Sequence, residues 1–357
     1  MPQNVRLPVA DLIQFTSSLF TAGQVPADEA RLVCDSLVDS NLRGHESHGV
    51  IRVPEYLDQL KSGRLVAGAG LTVLNETPAV LAADAGRGFG QVQCRRLIER
   101  LLPKAREVGL ACGTLRNCGH VGRLGEWTER IAGEQLAALM TVNDNGVLKC
   151  VAPPGGTAPR ISTNPLSVAV PTADGILPLD LSTSAVANGK IRVAHVSGQK
   201  CPPGWLLDAD GQPTDDPAVR FADPPGSILP FGGEQAYKGF GLGLLLDTLA
   251  GGLSGGFCPP APPDALEMNN VVLVIWNPAH FAGLDHFLGQ SALLKDYVRS
   301  TPRREGVSTI RLPGDRAAAL HEERSRQGIP LDGGTWKSLC GRAAALGVEI
   351  PAAASID

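Results

Sequence analysis

The chain has 357 residues, of which 43% are hydrophobic, 19% charged and 4% aromatic, with a formal net charge of −4. Such a length allows two domains or one large one, and the composition supports a packed core rather than general disorder. Without a basic run, and with few aromatic rings for base stacking, binding to nucleic acid or to an anionic membrane is disfavoured.

In chain order, Ala27 to Leu42 reads as a helix, with Asp28 and Glu29 in its first turn and Gly44 as its stop. The stretch from Arg43 to Tyr56 follows and is the richest in chemistry. A helix starting near Gly49 would set His48, Arg52 and Tyr56 at i, i+4 and i+8 on one face, roughly 6 Å apart per step. Histidine exchanges a proton near neutral pH, and an arginine fork holds a carboxylate through two parallel bonds. Together they suit chemistry at the carbon beside a carboxylate. The plainer alternative is a His-Gly turn with Arg52 on the solvated face and Pro54 in a first helical turn. This helix should end near Ser62-Gly63.

Ala79 to Ala83 reads as a strand, Gln91 to Val108 as a long helix and Leu110 to Leu115 as a second strand. The glycines between the first two suggest a Rossmann dinucleotide site, but Gly86-x-Gly88-x-x-Gln91 lacks the third glycine. Arg116-Asn117 stands where a ribose-binding acid belongs, so a turn and helix cap is the better reading. His120 follows in a glycine-rich turn, where Gly119, Gly122 and Gly125 would let a ligand approach the backbone.

A helix from Glu126 to Ala132, a strand from Leu136 to Val142 and a loop from Val151 to Asn164 come next. Strands at Leu166 to Val170 and Ile176 to Leu181 run into Ser182-Thr183-Ser184 and a helix beginning near Ala185. Hydroxyls and free amides there form an anion site, or else an ordinary N-cap. Cys201 to Pro230 is a proline-rich surface excursion. Lys238 leads the next helix without forming a P-loop; it could meet a phosphate or be a plain surface lysine. The apolar stretch from Phe240 to Phe257 is broken by Asp247 and six glycines, which favours a buried helix over a bilayer span. A strand at Val271 to Trp276 and two closing helices complete the chain, the last capped by Asp332 with Trp336 and Leu339 facing inward. There is no internal repeat.

Eight scattered cysteines form no C-x-x-C pair, so neither a zinc site nor a disulfide framework is expected, and no metal is assigned. His45, His195, His280, His286 and His321 lack convergent neighbours. No serine elbow at a strand-to-helix turn and no paired carboxylates stand out. The start lacks the apolar segment of a signal peptide, which points to reduced thiols in the cytoplasm. Alternating strands and helices indicate an α/β domain, with helices from both chain ends packing together as a satellite.

Several segments converge on one family. They are Arg43-Gly44-His45-Glu46-Ser47-His48-Gly49, Asn117-Cys118-Gly119-His120-Val121-Gly122, Thr163-Asn164-Pro165, Asp180-Leu181-Ser182-Thr183-Ser184 with Gly189-Lys190, Gly204-Trp205-Leu206-Leu207-Asp208 with Asp210-Gly211, Tyr237-Lys238-Gly239, and Ile329-Pro330-Leu331. In this order, over nearly the whole chain, they resemble the malate/L-lactate dehydrogenase family of NAD(P)-dependent oxidoreductases. That family also contains ureidoglycolate, sulfolactate, diketogulonate and cyclic-ketimine enzymes. The Gly119 to Arg123 and Cys201 to Gly204 segments are most similar to its hydroxycarboxylate dehydrogenase B branch. Cys118 and Gly119 depart from the family's asparagine–serine–histidine turn.

The resemblance implies a non-Rossmann nicotinamide-binding fold with a mixed sheet, and homodimers with the active site in a cleft near the subunit interface. The expected division is a helical domain of residues 1–75 with 300–357, and a cofactor-binding and dimerisation domain of residues 76–299. His48 matches the family's proton donor and acceptor, and Arg52 a contact to the substrate carboxylate, with Tyr56 and His120 beside it. Gly122, Thr163, Asn164, Ser182, Thr183 and Lys238 fall in cofactor or pocket segments; Asp180 would steady the site or cap its own helix. The reaction implied is reversible hydride transfer between NAD or NADP and C2 of a 2-oxo acid, with reduction favoured at lower pH by an ordinary histidine pKa near 6.5. Alternatives are a reductase of cyclic ketimines (Δ1-piperideine-2-carboxylate or Δ1-pyrroline-2-carboxylate) and a non-catalytic nucleotide-binding subunit, which would need no proton carrier.

Overall fold

A computed structural model of the protein describes residues 4–356. The strand β1 (Asn4–Leu7) leads into α1 (Val9–Ala22), where Leu12, Phe15, Leu19 and Phe20 recur at helical spacing and are buried. Next comes α2 (Ala27–Leu42), with the expected limits. The expected helix from Gly49 is absent. Two short 3₁₀ turns, Glu46–His48 and Val50–Arg52, precede α3 (Val53–Lys61). Pro54 explains this: it lacks an N–H, and its ring would strike the carbonyl four residues back in a continuous helix.

The central part runs β2 (Thr72–Glu76), β3 (Val80–Asp84), α4 (Gly90–Val108), β4 (Leu110–Cys118), α5 (Leu124–Ala132), β5 (Ala137–Asn143), β6 (Leu166–Thr172) and β7 (Gly175–Leu181). Then follow α6 (Asn188–Ser197), the two-residue strands β8 (Leu206–Leu207), β9 (Pro213–Thr214) and β10 (Ser227–Ile228), α7 (Ala236–Ser254) and β11 (Asn269–Trp276). Three helices close the chain where two were expected: α8 (Leu284–Arg299), α9 (Asp315–Gln327) and α10 (Gly333–Leu346), with β12 (Ile329–Leu331) and β13 (Ala354–Ile356) beside them. Asp332 caps α10 by accepting the Thr335 amide at 2.9 Å, as its position suggested. Among the described residues, no helix is long and apolar enough to cross a membrane.

The main sheet has the order β2-β3-β4-β11-β5-β6-β7, and only β3 and β4 pair in parallel. It is a mixed sheet, as expected, and its antiparallel centre differs from the all-parallel sheet of a doubly wound nucleotide fold. β11 lies between β4 and β5 and is apolar at almost every position, as a strand covered on both faces must be. Val271, Leu273 and Ile275 join the core beneath α4 and α5, while α7 packs on the sheet from the opposite side. A second core gathers α1, α2, α3 and α10 with β1 and β12. A third, smaller one fills the segment between Cys150 and Ile228.

The first two cores meet where backbone crosses backbone. The Gly119 amide donates to the Gly88 carbonyl at 2.9 Å, and a Cβ on Gly90 would sit 2.3 Å from the Gly119 oxygen and 2.4 Å from the His120 oxygen. A Cβ on Gly119 would likewise lie 2.6 Å from the Gly88 oxygen, which gives the family departure at this position a steric cause. The 119–120 backbone thus occupies the space over the start of α4, in keeping with a turn and cap rather than a pyrophosphate cradle.

Replacing Gly90 with Ala should therefore destabilise the chain by about 3 kcal/mol, the upper end for forcing an extra carbon into a packed site. Denaturant unfolding measures this, and an unshifted midpoint would show that the crossing can open without cost.

Candidate active site

The two 3₁₀ turns that carry His48 and Arg52 are pinned from three sides. The Asn41 side chain accepts the Val50 amide at 2.8 Å. Arg324 of α9 donates to the Asn41 carbonyl and, at 2.8 Å, to Glu46 Oε1. Ser47 packs against Gly189 at the start of α6, where an added Cβ would lie 2.8 Å from the Ser47 Cβ. The turns face His120, which the Gly119 crossing delivers from the end of β4.

The imidazoles of His48 and His120 stack, with ring centroids 5.4 Å apart and planes 23° apart. His48 Nδ1 is 3.0 Å from the Ser47 hydroxyl. Tyr56 is only 1% exposed, and its hydroxyl lies 2.7 Å from His120 Nδ1 and 3.1 Å from Gln91 Nε2. Expected to touch substrate, Tyr56 instead backs His120 from within the core. Arg52 donates through Nε to the Ser47 carbonyl and through Nη1 to Glu55 Oε2, both at 2.8 Å. No bond from its Nη2 is recorded among the described residues.

Both imidazoles are held neutral. Burial pushes the His48 pKa down to about 3, helped by the positive charge of Arg52 and by the neighbouring His45 and Arg123. Burial, Arg52 and His48 also push His120 well below the usual histidine range. The ordinary value near 6.5 expected from sequence does not hold. Burial likewise holds the Tyr56 phenol well above its usual range, so it stays protonated.

Asp180 does not cap its own helix. It accepts the Gly125 amide at 2.8 Å at the start of α5, and it lies beside Arg123 and His45. Among the described residues no hydrogen bond joins it to His48. Ser182, Thr183 and Ser184 do not form the expected anion site, because α6 begins at Asn188 rather than Ala185. Their hydroxyls are spent locally: Thr183 Oγ1 donates to the Thr163 and Asn164 carbonyls at 2.9 and 3.2 Å, Ser182 to the Ser184 carbonyl at 3.3 Å, and Ser184 to that of Val186 at 2.8 Å. Asn164 is fully buried and donates to Gly243 and Asp247, tying the Thr163–Thr183 ledge to α7. Lys238 is exposed in the first turn of α7, its ammonium 6.0 Å from the Tyr237 ring. Gly122 takes a left-handed turn with φ +75°, and an added Cβ would lie 3.4 Å from Gln91 Nε2.

The structure therefore joins His48, Arg52, Tyr56 and His120 in one constellation, whereas the Thr163, Asn164 and Thr183 ledge and Lys238 stand apart from its recorded contacts. Sequence reading missed Ser47, Glu55 and Gln91. Gln91 drew notice only as the residue in place of a third glycine. Among the described residues, no group of three or more His, Cys, Asp or Glu side chains could hold a metal.

The family model described as malate/L-lactate dehydrogenase matches residues 7–340. Hydroxycarboxylate dehydrogenase B from Escherichia coli (strain K12) is 35% identical, over 98% of this chain and 96% of the relative. The solved malate dehydrogenase from Pyrococcus horikoshii OT3 is 28% identical with a TM-score of 0.87, covering 97% of each chain. A solved delta1-piperideine-2-carboxylate reductase from Pseudomonas syringae pvar. tomato is 29% identical with a TM-score of 0.81, covering 95% of this chain and 99% of that one.

The depressed His48 pKa has a thermodynamic consequence. Between pH 6.5 and about 3 the unfolded chain binds a proton that folded His48 refuses, so this group's contribution to stability falls as pH falls. From pH 7 to pH 5, the parent should lose about 1 kcal/mol more than His48→Gln, allowing for partial solvent screening. Unfolding measured at the two pH values tests this, and equal losses would mean that His48 titrates normally.

Proposed function

This chain belongs to the malate/L-lactate dehydrogenase family, and from that premise we propose that it interconverts a 2-oxo acid and its 2-hydroxy acid with NAD or NADP. The observation that carries the reading is the pair of stacked, neutral imidazoles set beside Arg52. When bound, the nicotinamide supplies or accepts the hydride at C2. The donor set suits such a cofactor. The open first turn of α7, with the exposed Lys238 ammonium, offers amides and positive charge to a pyrophosphate, and the Thr163–Thr183 ledge lies against the same helix.

Arg52 would hold the substrate carboxylate through Nη2 and the free half of Nη1. To do so it must share a guanidinium already engaged by Glu55. A bound carboxylate also cancels the charge that disfavours protonated His48, so proton uptake by His48 should follow the arrival of the acid. Neutral His48 then serves as base for the alcohol, and protonated His48 as acid for the developing alkoxide. Positioned proton transfer of this kind is worth about 10²- to 10⁴-fold in rate.

A reductase acting on a cyclic imine is the second reading, and one observation favours it. An iminium carries its own proton, so a histidine kept neutral in the free chain is no handicap there. The solved relative of that activity shares the fold.

We infer the remaining organisation in the same way. Two apolar cores support a division into residues 1–75 with 300–357, and 76–299, with Phe89 and Val92 of the second unit reaching into the first core. The terminal unit then contains three short strands besides its helices. Eight unpaired cysteines fit a reducing, cytoplasmic setting. A homodimer is supported by α7, which leaves Leu244, Leu245, Leu249 and Leu253 exposed although its other side is buried. Sedimentation should report twice the chain mass, and a monomer at micromolar concentration would remove this support.

The decisive assay follows NAD(P)H absorbance with a panel of 2-oxo acids and cyclic imines. We expect turnover with at least one 2-oxo acid, and for it a loss of about 10²-fold or more in kcat for His48→Gln with cofactor affinity retained. Arg52→Lys should mainly raise KM, because a point charge cannot reproduce the fork; Glu55→Gln should lower KM by releasing Nη1. Turnover confined to imines would transfer the assignment to the second reading, and full activity of His48→Gln would end its proposed role.

A further inference from the structure

Tyr56 has a single hydroxyl proton and two nitrogen neighbours, Gln91 Nε2 at 3.1 Å and His120 Nδ1 at 2.7 Å. An amide N–H can only donate, so the phenol oxygen accepts from Gln91 and its own hydrogen goes to His120 Nδ1. Acidity supports the same polarity: a phenol gives a proton to an imidazole nitrogen more readily than an imidazole N–H gives one to a phenol. The contact to His120 is also the shorter of the two. Gln91 is fully buried and Tyr56 nearly so, and water does not compete for the bond between them. A neutral imidazole whose Nδ1 accepts must carry its hydrogen on Nε2.

Resting on the function proposed above, we propose that Gln91 and Tyr56 form a polarised relay that fixes His120 as its Nε2–H tautomer. His120 then donates a hydrogen bond to an oxygen of the substrate and leaves proton transfer to the stacked His48. The two rings divide the labour. With Nε2 protonated and the Nδ1 lone pair engaged by Tyr56, His120 is unable to act as the base, whereas His48 can donate from Nδ1 to the Ser47 hydroxyl and keep its Nε2 lone pair for the proton. Two adjacent imidazolium ions beside Arg52 would repel one another, so a donor that needs no charge suits the place of His120. Gln91 and Tyr56 are positioning residues, because they reach substrate only through His120.

Long-range ¹H–¹⁵N correlation spectra of the histidine-labelled chain distinguish the two tautomers, and His120→Asn identifies the signal. The parent should show an Nε2–H pattern for His120 from pH 6 to 9 without any ligand. Tyr56→Phe frees Nδ1, so it should give mixed tautomers and a drop in kcat/KM of about tenfold, the scale of one lost hydrogen bond. NAD(P)H affinity should stay within about twofold, since the Tyr56 hydroxyl bonds to Gln91 and His120 and not to Thr163, Asn164, Thr183 or Lys238. An Nδ1–H pattern in the parent overturns the proposal without any substitution, even if the variant fails to fold. So does a Tyr56→Phe variant that keeps the parent tautomer and kcat/KM. A chain inactive toward every 2-oxo acid yet showing Nε2–H would instead count against the proposed function alone.

Discussion

A guanidinium removed from water must be answered by anions, and Arg123 is the residue around which this requirement organises the molecule. It is 3% exposed and donates to both oxygens of Glu129, at 2.7 and 3.2 Å, and to Asp39 at 3.3 Å. Asp39 belongs to α2 and Glu129 to α5, so a single buried charge ties the terminal helices to the main sheet. Asp180, at the end of β7, adds a third carboxylate, and Arg43 closes the circle through Asp39 and Glu129. Opening a buried pair of this kind costs about 3–5 kcal/mol, because the charge left behind is desolvated and unpaired. The seam is therefore held by electrostatics at one end and by the glycine crossing at the other.

The candidate site lies along that seam and draws side chains from both sides of it. His48, Arg52 and Tyr56 come from the core of α1, α2, α3 and α10, while His120 and Gln91 come from the loop and helix at the sheet. The placement accounts for the electrostatic character of the site. Arg52 and Arg123 both contribute positive potential at His48, and burial adds to their effect. The constellation thus holds its two imidazoles neutral at rest while Arg52 keeps its positive charge, an environment that favours an anion.

Much of the fold was legible because local signals and tertiary demands agreed. Residues 27–42 formed the expected helix with the expected limits, and the strands at 137–143, 166–172 and 175–181 were displaced by only a residue or two. Several misses come from dependence on partners distant in sequence. β1, β12 and β13 exist only through one another, and no window of residues around Asn4 announces them. The helix expected at Gly49 failed because periodicity ignores what Pro54 does to the carbonyl at Val50. The hydroxyl of Thr183 looked free because the carbonyls that claim it belong to Thr163 and Asn164, some twenty residues earlier. In the site, residue types disclosed the imidazoles and the guanidinium. Gln91 could not be found this way, since its meaning arises from a phenol thirty-five residues away.

One feature of the terminal sheet bears on how the molecule comes to exist. β1 lies in the middle of its three strands, with Val5 opposite both Leu331 and Ser355. Arg324, from the same late stretch, holds the turn that presents His48. An emerging polypeptide would thus carry its early helices as an open half-body until segments made much later arrive to close it. Loop-closure entropy grows only slowly with length, by about 0.6 kcal/mol per doubling, so the equilibrium cost is modest. The burden is kinetic: pairings this remote in sequence are slow to find, and the proton-handling turn is completed only when they do.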